Sequence, residues 1–259
     1  MKNYIYVLET QSQGLFFTVY VNDIPVASDR IGNSKTNQLK LNPFVIEGEN
    51  RISVDMQLPS STSADSKDLA SPGFHLRLMS GELGMEPGPE GLKAEYIWQV
   101  TDAELQVTTP KPVWQSTFTG DPAFGRWAWQ DATPYSEADH QAVINLLKET
   151  HTALSTRDIN QLNSLLELKT KEMARALGID SAMMSSGQND FFVSYFNDKD
   201  WKMESFEPSK LTLTPSAGGR LVSVTNSAGN PPLQGFAGQR PFVMDVVVSH
   251  INGKLKIVR

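Results

Sequence analysis

The hydrophobic pattern changes period twice along the chain. From residue 1 to about residue 119, apolar side chains recur at every second position between frequent turn residues, as in short half-buried strands. Leu15, Phe17, Val19 and Val21 fall on one side of a strand that Asn22-Asp23 turns into Ile24-Pro25-Val26. Ile52, Val54 and Met56 alternate with Arg51, Ser53 and Asp55, and Phe74, Leu76 and Leu78 alternate with His75 and Arg77. Strands are also predicted near residues 1–9, over 38–41, within 94–107 and over 113–118. A Ser/Asp/Ala-rich surface loop is expected over 58–72, and irregular Gly/Pro-rich chain over 81–91. About six to eight such strands predict an antiparallel β-sandwich over residues 1–119.

After Pro134 the period becomes helical. Ser136-Glu-Ala-Asp139 has the form of a capping box, and Val143, Leu146, Leu147, Thr150 and Leu154 follow on one stripe. Asp158 caps a second helix with the stripe Ile159, Leu162, Leu165, Leu166, Met173 and Leu177, stopped by Gly178. Asp180 opens a third helical piece running to Phe196, which Ser185-Ser186-Gly187 is expected to interrupt. The period then returns to two: a strand over 201–206, a hairpin of 210–214 with 220–225 around Ala217-Gly218-Gly219, and a long flexible loop over 226–240. A hairpin closes the sequence, with 241–251 as one strand and 254–259 as the other. Asn252-Gly253 between them is the residue pair a type I′ turn requires. The two-residue turn sets Ile251 opposite Lys254, His250 opposite Leu255, Val248 opposite Ile257 and Val246 opposite Arg259. Phe242, Met244, Val246, Val248, His250, Leu255 and Ile257 then share an apolar face that the helices can roof. The reverse face carries Val243, Val247, Ile251 and Val258, which suit packing on the first module or a homodimer through the C-terminal sheet.

The pattern thus divides the chain into a β module (1–119), an aromatic-rich connector (120–134) and an α+β module (135–259). In the connector, Phe124, Trp127 and Trp129 are interface candidates, either clamping the modules together or presenting a platform for a sugar or partner.

Two resemblances follow. Three helices and then two antiparallel hairpins, with the phrase Ala153-Leu-Ser-Thr-Arg-Asp-Ile-Asn-Gln-Leu-Asn-Ser-Leu-Leu166, resemble the nuclear-transport-factor-2-like superfamily, a cone-shaped α+β fold. The resemblance implies an apolar pocket between helices and curved sheet, and by analogy Tyr195, Phe196, Trp201, Phe242, Met244 and His250 would line it. The family holds isomerases, dehydratases and noncatalytic binders, so it leaves activity open. No Asp–His or Tyr–Asp pair of its enzymes falls on matching positions. In the first module, Phe44-Val-Ile-Glu-Gly-Glu-Asn-Arg-Ile-Ser-Val54 resembles a corner of jelly-roll, galactose-binding-like modules, although Gly48 and Asn50 also suit a plain turn.

Composition narrows the chemistry. Of 259 residues 20% are charged and 39% hydrophobic, which marks a globular chain, and the net charge of -6 without a basic run argues against nucleic acid. No stretch approaches the roughly 20 apolar residues of a membrane span. The opening residues read as a strand rather than a signal peptide, so a soluble protein is expected, cytoplasmic, or periplasmic if an export signal was trimmed. With no cysteine, disulfides, thiolate nucleophiles and zinc-thiolate sites are excluded. No serine-hydrolase elbow, phosphate loop or dinucleotide fingerprint occurs, and no cofactor is expected.

Of the four histidines, His140 and His151 sit about 16 Å apart along one helix at 1.5 Å per residue and cannot share a metal. His75 faces outward. His250, the one polar group on the apolar face, is the only candidate acid or base, with Asp190, Asp198 or Asp200 as prospective partners. Asn197-Asp-Lys-Asp200 resembles the start of a calcium loop but lacks its later ligands, so a turn and no metal site are expected. The leading expectation is a noncatalytic binding or interaction protein whose partner is another protein or a small apolar or carbohydrate ligand. A toxin-neutralising, immunity-type antagonist is one form of it. The alternative is a small-molecule lyase, isomerase or hydrolase that uses His250.

Overall fold

The computed structural model describes residues 4–29, 32, 34–58, 72–99, 114–120 and 125–259. The chain is mixed β and α+β and divides into two compact units, Met1–Gly125 and Arg126–Arg259.

The described strands of the first unit are β1 (Tyr4–Gln13), β2 (Phe16–Val21), β3 (Ile24–Asp29), β4 (Lys35–Lys40), β5 (Gly48–Gln57), β6 (Gly73–Glu82), β7 (Leu92–Gln99) and β8 (Trp114–Gly120). They form two antiparallel sheets, ordered β4-β1-β6-β7 and β3-β2-β5-β8. The period-two pattern decides what is inside: Leu15, Phe17, Val19, Val21, Ile52, Val54, Leu76 and Leu78 are all buried. Rings from the two sheets meet in pairs, Phe17 with Phe74 at 4.9 Å and Tyr96 with Trp114 stacked at 4.9 Å. Asn22 and Asp23 both take positive φ, as the tight β2–β3 turn requires. The Gly48-Glu49-Asn50 phrase is a corner held from within. Asn50 Nδ2 donates to the carbonyls of Ile46 at 2.8 Å and Gly48 at 3.0 Å, while its Oδ1 accepts from Ile46 N and Asn22 Nδ2, each at 2.8 Å. The strand expected to run on to Val107 is seen as far as Gln99, and residues 100–113 lie outside the described residues, as does most of the 58–72 loop.

The second unit starts with three helices, α1 (His140–Thr156), α2 (Ile159–Leu177) and α3 (Ser181–Phe196). Their ends follow the chemistry read from the sequence. Asp158 accepts from Gln161 N, Asp180 accepts from Ala182 N and Met183 N, and Gly178 ends α2 with φ 63°. The expected interruption of α3 is absent: the helix is continuous, because Gly187 lies on an open face and the inward Phe192 and Phe196 anchor the turns that follow it. A glycine there costs about 1 kcal/mol, which packing absorbs.

Two antiparallel sheets follow. β9 (Lys202–Met203), β12 (Leu233–Ala237) and β13 (Arg240–Met244) order as β13-β12-β9, and β10 (Thr212–Ser216), β11 (Leu221–Thr225), β14 (Val246–Ile251) and β15 (Lys254–Ile257) order as β10-β11-β14-β15. Two expectations are corrected. The 226–240 loop contains strand β12, and the strand drawn over 241–251 divides at Asp245 into β13 and β14, which serve different sheets. Gly235 had disguised β12: a Cβ there would sit 2.7 Å from the Lys202 carbonyl, so the glycine marks a close backbone approach inside a sheet. The closing register is as read near the turn, with Val248 opposite Ile257, His250 opposite Leu255 and Ile251 opposite Lys254, but the expected pairing of Val246 with Arg259 is corrected: Val247 N donates to the Arg259 carbonyl at 3.0 Å, one residue out of step.

One buried ion pair ties the unit together. Arg259 Nη1 donates to Glu172 Oε2 at 2.6 Å, with 4% and 5% of their side chains exposed. The other oxygen of Glu172 accepts from Ala128 N at 2.7 Å. Replacing Glu172 by glutamine keeps the shape but strands the guanidinium, so Glu172→Gln is expected to lose about 3–5 kcal/mol in urea-induced unfolding. The paired change Glu172→Leu with Arg259→Met should recover most of it. Equal stability of Glu172→Gln and the parent protein would show the pair to be dispensable.

Candidate functional site

Five of the six residues expected to line a pocket come together as a solid core. Trp201 and Phe242 meet edge to face at 5.2 Å, Tyr195 and Phe242 at 5.3 Å, and Phe196 and Trp201 at 5.5 Å. Met244 is buried beside them, 8% exposed. Polar atoms of this cluster are spent internally: Trp201 Nε1 donates to the Leu154 carbonyl at 3.1 Å and Tyr195 OH to that of Pro241 at 3.1 Å. The Arg240 guanidinium lies over the Tyr195 ring, 3.9 Å from its centre. None of the five borders either cleft described below.

His250, the sixth, stands apart with a different acid from those expected. Its Nδ1 is 3.5 Å from Asp139 Oδ1, and the two side chains are 23% and 17% exposed. Asp139 Oδ2 accepts from Ser136 N at 2.8 Å and from Ser136 Oγ at 3.0 Å. The capping residue of the first helical turn therefore also faces the imidazole, while Thr133 N donates to the His250 carbonyl at 3.0 Å. The Asp139 carboxyl is held below its ordinary range, chiefly by the Ser136 amide and further by the Ser136 hydroxyl and His250, against the opposing effect of burial. The 3.5 Å separation is an ion-pair distance rather than a hydrogen bond, and His250 Nδ1 is buried without a hydrogen-bond partner among the described residues. Asp198 instead accepts from Asp200 N at 2.8 Å, which makes 197–200 a turn. Among the described residues no three metal-ligating side chains cluster.

The other histidines have structural partners. His151 Nε2 donates to the Glu204 carbonyl at 2.7 Å, His140 Nδ1 is 3.4 Å from Tyr135 OH, and His75 pairs with Glu95 at 2.9 Å.

Of the connector aromatics, Phe124 lies outside the described residues. Trp127 is fully buried with the guanidinium groups of Arg175 and Arg259 at 4.4 Å and 5.2 Å from its ring centre, and Trp129 is 5% exposed. Neither presents a free platform. Val258, assigned to a self-association face, is also fully buried.

Exposed apolar surface is found instead on the outer face of the β13-β12-β9 sheet. Pairing sets Gln234 opposite Val243, and Phe236 opposite both Pro241 and Lys202. Phe236 is 42% and Val243 58% exposed, whereas Leu233, Ala237, Phe242 and Met203 on the reverse face are buried. The Glu204 amide donates to the Gln234 carbonyl at 2.9 Å and extends that register. Glu204 and Gln234 border a cleft of about 180 Å³, with Phe206, Leu211 and Pro232 in its walls. A second cleft of about 320 Å³ lies along the α2–α3 seam among Asn163, Thr170, Ser185 and Gln188. The sequence offered one signal for the outer face, the alternation of Val243 with Phe242 and Met244. It missed Phe236 because β12 was read as loop.

No family model matches the chain, and neither curated proteins nor solved structures gave a match. Among the described residues no helix is long and apolar enough to cross a membrane.

The Asp139 geometry fixes the sign of a pH effect. Because folding lowers this carboxyl's affinity for a proton, its ionised form stabilises the fold fully above its ordinary value of 3.8, and the contribution fades as the pH falls through and below it. Asp139→Asn should therefore be less stable than the parent protein at neutral pH, with the gap closing in acid. Urea unfolding at a series of pH values measures the gap, and a difference that persists unchanged into strong acid would contradict the assignment.

Proposed function

We propose that this chain is a noncatalytic binding protein that acts by protein–protein contact, its second unit a nuclear-transport-factor-2-like α+β module and its first a β-sandwich. Three helices followed by antiparallel strands support the first assignment. Two four-stranded sheets contributing to one core cluster support the second. The observation that carries the functional reading is the outer face of the β13-β12-β9 sheet, where Phe236, Pro241 and Val243 lie side by side in solvent and the face runs on to a cleft. Isolated apolar side chains on a surface are ordinary, but a contiguous row beside a concavity is how an interface core is built.

A photo-crosslinking residue at Val243, with one at exposed Lys148 on α1 as control, tests this in cells that make the protein. A single adduct identified by mass spectrometry is expected at Val243, absent at Lys148 and lost on Phe236→Asp. An adduct with a second copy of the chain would identify the contact as a homodimer. Equal adducts at both positions, or none at Val243, would remove the reading.

One observation favours a second reading, a small-molecule lyase, isomerase or hydrolase: the carboxylate 3.5 Å from His250 Nδ1. That reading requires the proton on Nδ1 so that Nε2 is the basic atom. Nitrogen NMR of His250 should then show the Nδ1–H form in the parent protein and a mixture in Asp139→Asn, and an Nε2–H form in the parent would rule it out.

A further inference from the structure

We propose that the cleft at the end of the outer face is a socket for one basic side chain, arginine or lysine, of a protein partner; this rests on the reading of that face as a contact surface. Size is the first argument. At about 180 Å³ the cleft is smaller than the roughly 300–1,000 Å³ of sites that enclose free ligands, and it adjoins an exposed apolar row rather than standing alone. A hole of that scale beside a flat face suits one anchoring side chain of a larger surface.

The lining selects the anchor. Phe206, Leu211 and Pro232 offer apolar wall to an aliphatic stem. Two carboxylates, Glu204 and Glu207, face one ammonium, Lys210. Lys210 pairs with Glu207 at 3.0 Å, and among the described residues no cation lies within ion-pair distance of Glu204. The cleft is therefore apolar with one uncompensated negative charge, the complement of a long stem ending in a cation. Gln234 Nε2 donates to the Pro231 carbonyl at 2.8 Å, leaving Gln234 Oε1 to accept from a guanidinium.

The walls are braced in advance. His151 grips the Glu204 carbonyl and places its ring 5.2 Å from that of Phe206. Across the cleft, Asn226 Oδ1 accepts from the amides of Ala228 and Asn230, each at 3.0 Å, and shapes the opposite loop. A braced socket loses little entropy when filled.

The test titrates the isotope-labelled full chain with N-acetyl-arginine amide, N-acetyl-lysine amide and the uncharged N-acetyl-norleucine amide, following backbone resonances by NMR. Arginine and lysine amides are expected to shift residues 204–211 and 226–234, and norleucine amide to leave them in place. Glu204→Gln should weaken the arginine response about fivefold, as loss of an ion pair of this exposure does. Its fold should persist, because His151 binds the main chain of Glu204. Equal shifts from norleucine and arginine amides, or arginine binding undiminished in Glu204→Gln, would overturn the socket. A Val243 cross-link without an arginine response would overturn the socket and leave the contact surface standing, whereas absence of both would overturn both.

Discussion

The second unit depends on how one buried carboxylate is shared. Glu172 on α2 accepts from Arg259, which follows β15, and from the amide of Ala128, which precedes α1. Two stretches distant in sequence are thereby fixed to the same helical turn. Buried Trp127 has the Arg175 and Arg259 guanidinium groups at 4.4 Å and 5.2 Å from its ring centre and gains cation–π attraction from both. Such a pair adds little net energy over a well-packed apolar triad, since desolvating both charges offsets most of their attraction. What it contributes is geometry: the guanidinium cannot shift by one residue without losing a partner it has no water to replace. That constraint fixes where the chain after β15 lies against α2, while the Asn252-Gly253 turn at the other end of the hairpin sets His250 opposite Leu255.

The apolar budget of this unit is divided unevenly as a result. The inner faces of α3 and β13 and the Trp201 that precedes β9 commit their rings to one another, with Trp201, Phe242, Tyr195 and Phe196 within ring-contact distance. These rings contact one another, and none of them borders the cleft at Glu204 and Gln234 or the one along the α2–α3 seam. On the opposite side of the same thin sheet Phe236 and Val243 remain in water. A three-stranded sheet packed through one face, where β9 meets α1 and β12 meets α3, leaves its other face to solvent. The exposed row follows from the architecture, and the question of function becomes a question about what meets that row.

Local chemistry was legible in the sequence wherever it acts within a few residues. Asp158 and Asp180 as caps, Gly178 as a stop, Asn22-Asp23 and Asn252-Gly253 as turns, and the alternation of β2 and β5 all took the form their residue types dictate. Legibility failed where a glycine has a reason that is not local. Gly235 reads as loop because the approaching Lys202 carbonyl is contributed from elsewhere in the chain, and Gly187 reads as a break because the packing that outweighs its helix cost comes from Phe192 and Phe196. The same distinction separates the site residues. His250 was recognisable as a polar group on an apolar strand face, but its partner was not, because Asp139 already had a complete local explanation as the third residue of a capping box.

Asp139 shows how one residue can satisfy two levels of structure at once. One carboxylate oxygen is saturated by Ser136, so the side chain cannot rotate away to solvate the other, and that second oxygen is held toward Nδ1 of His250. A free surface aspartate at the same distance would spend most of its time in water, because exposed ion pairs rarely repay the entropy of holding two side chains still. Here the capping bonds have already met that cost. A carboxylate thus stands 3.5 Å from the imidazole as a by-product of starting a helix, and any proton chemistry at His250 would draw on rigidity that the fold maintains for its own reasons.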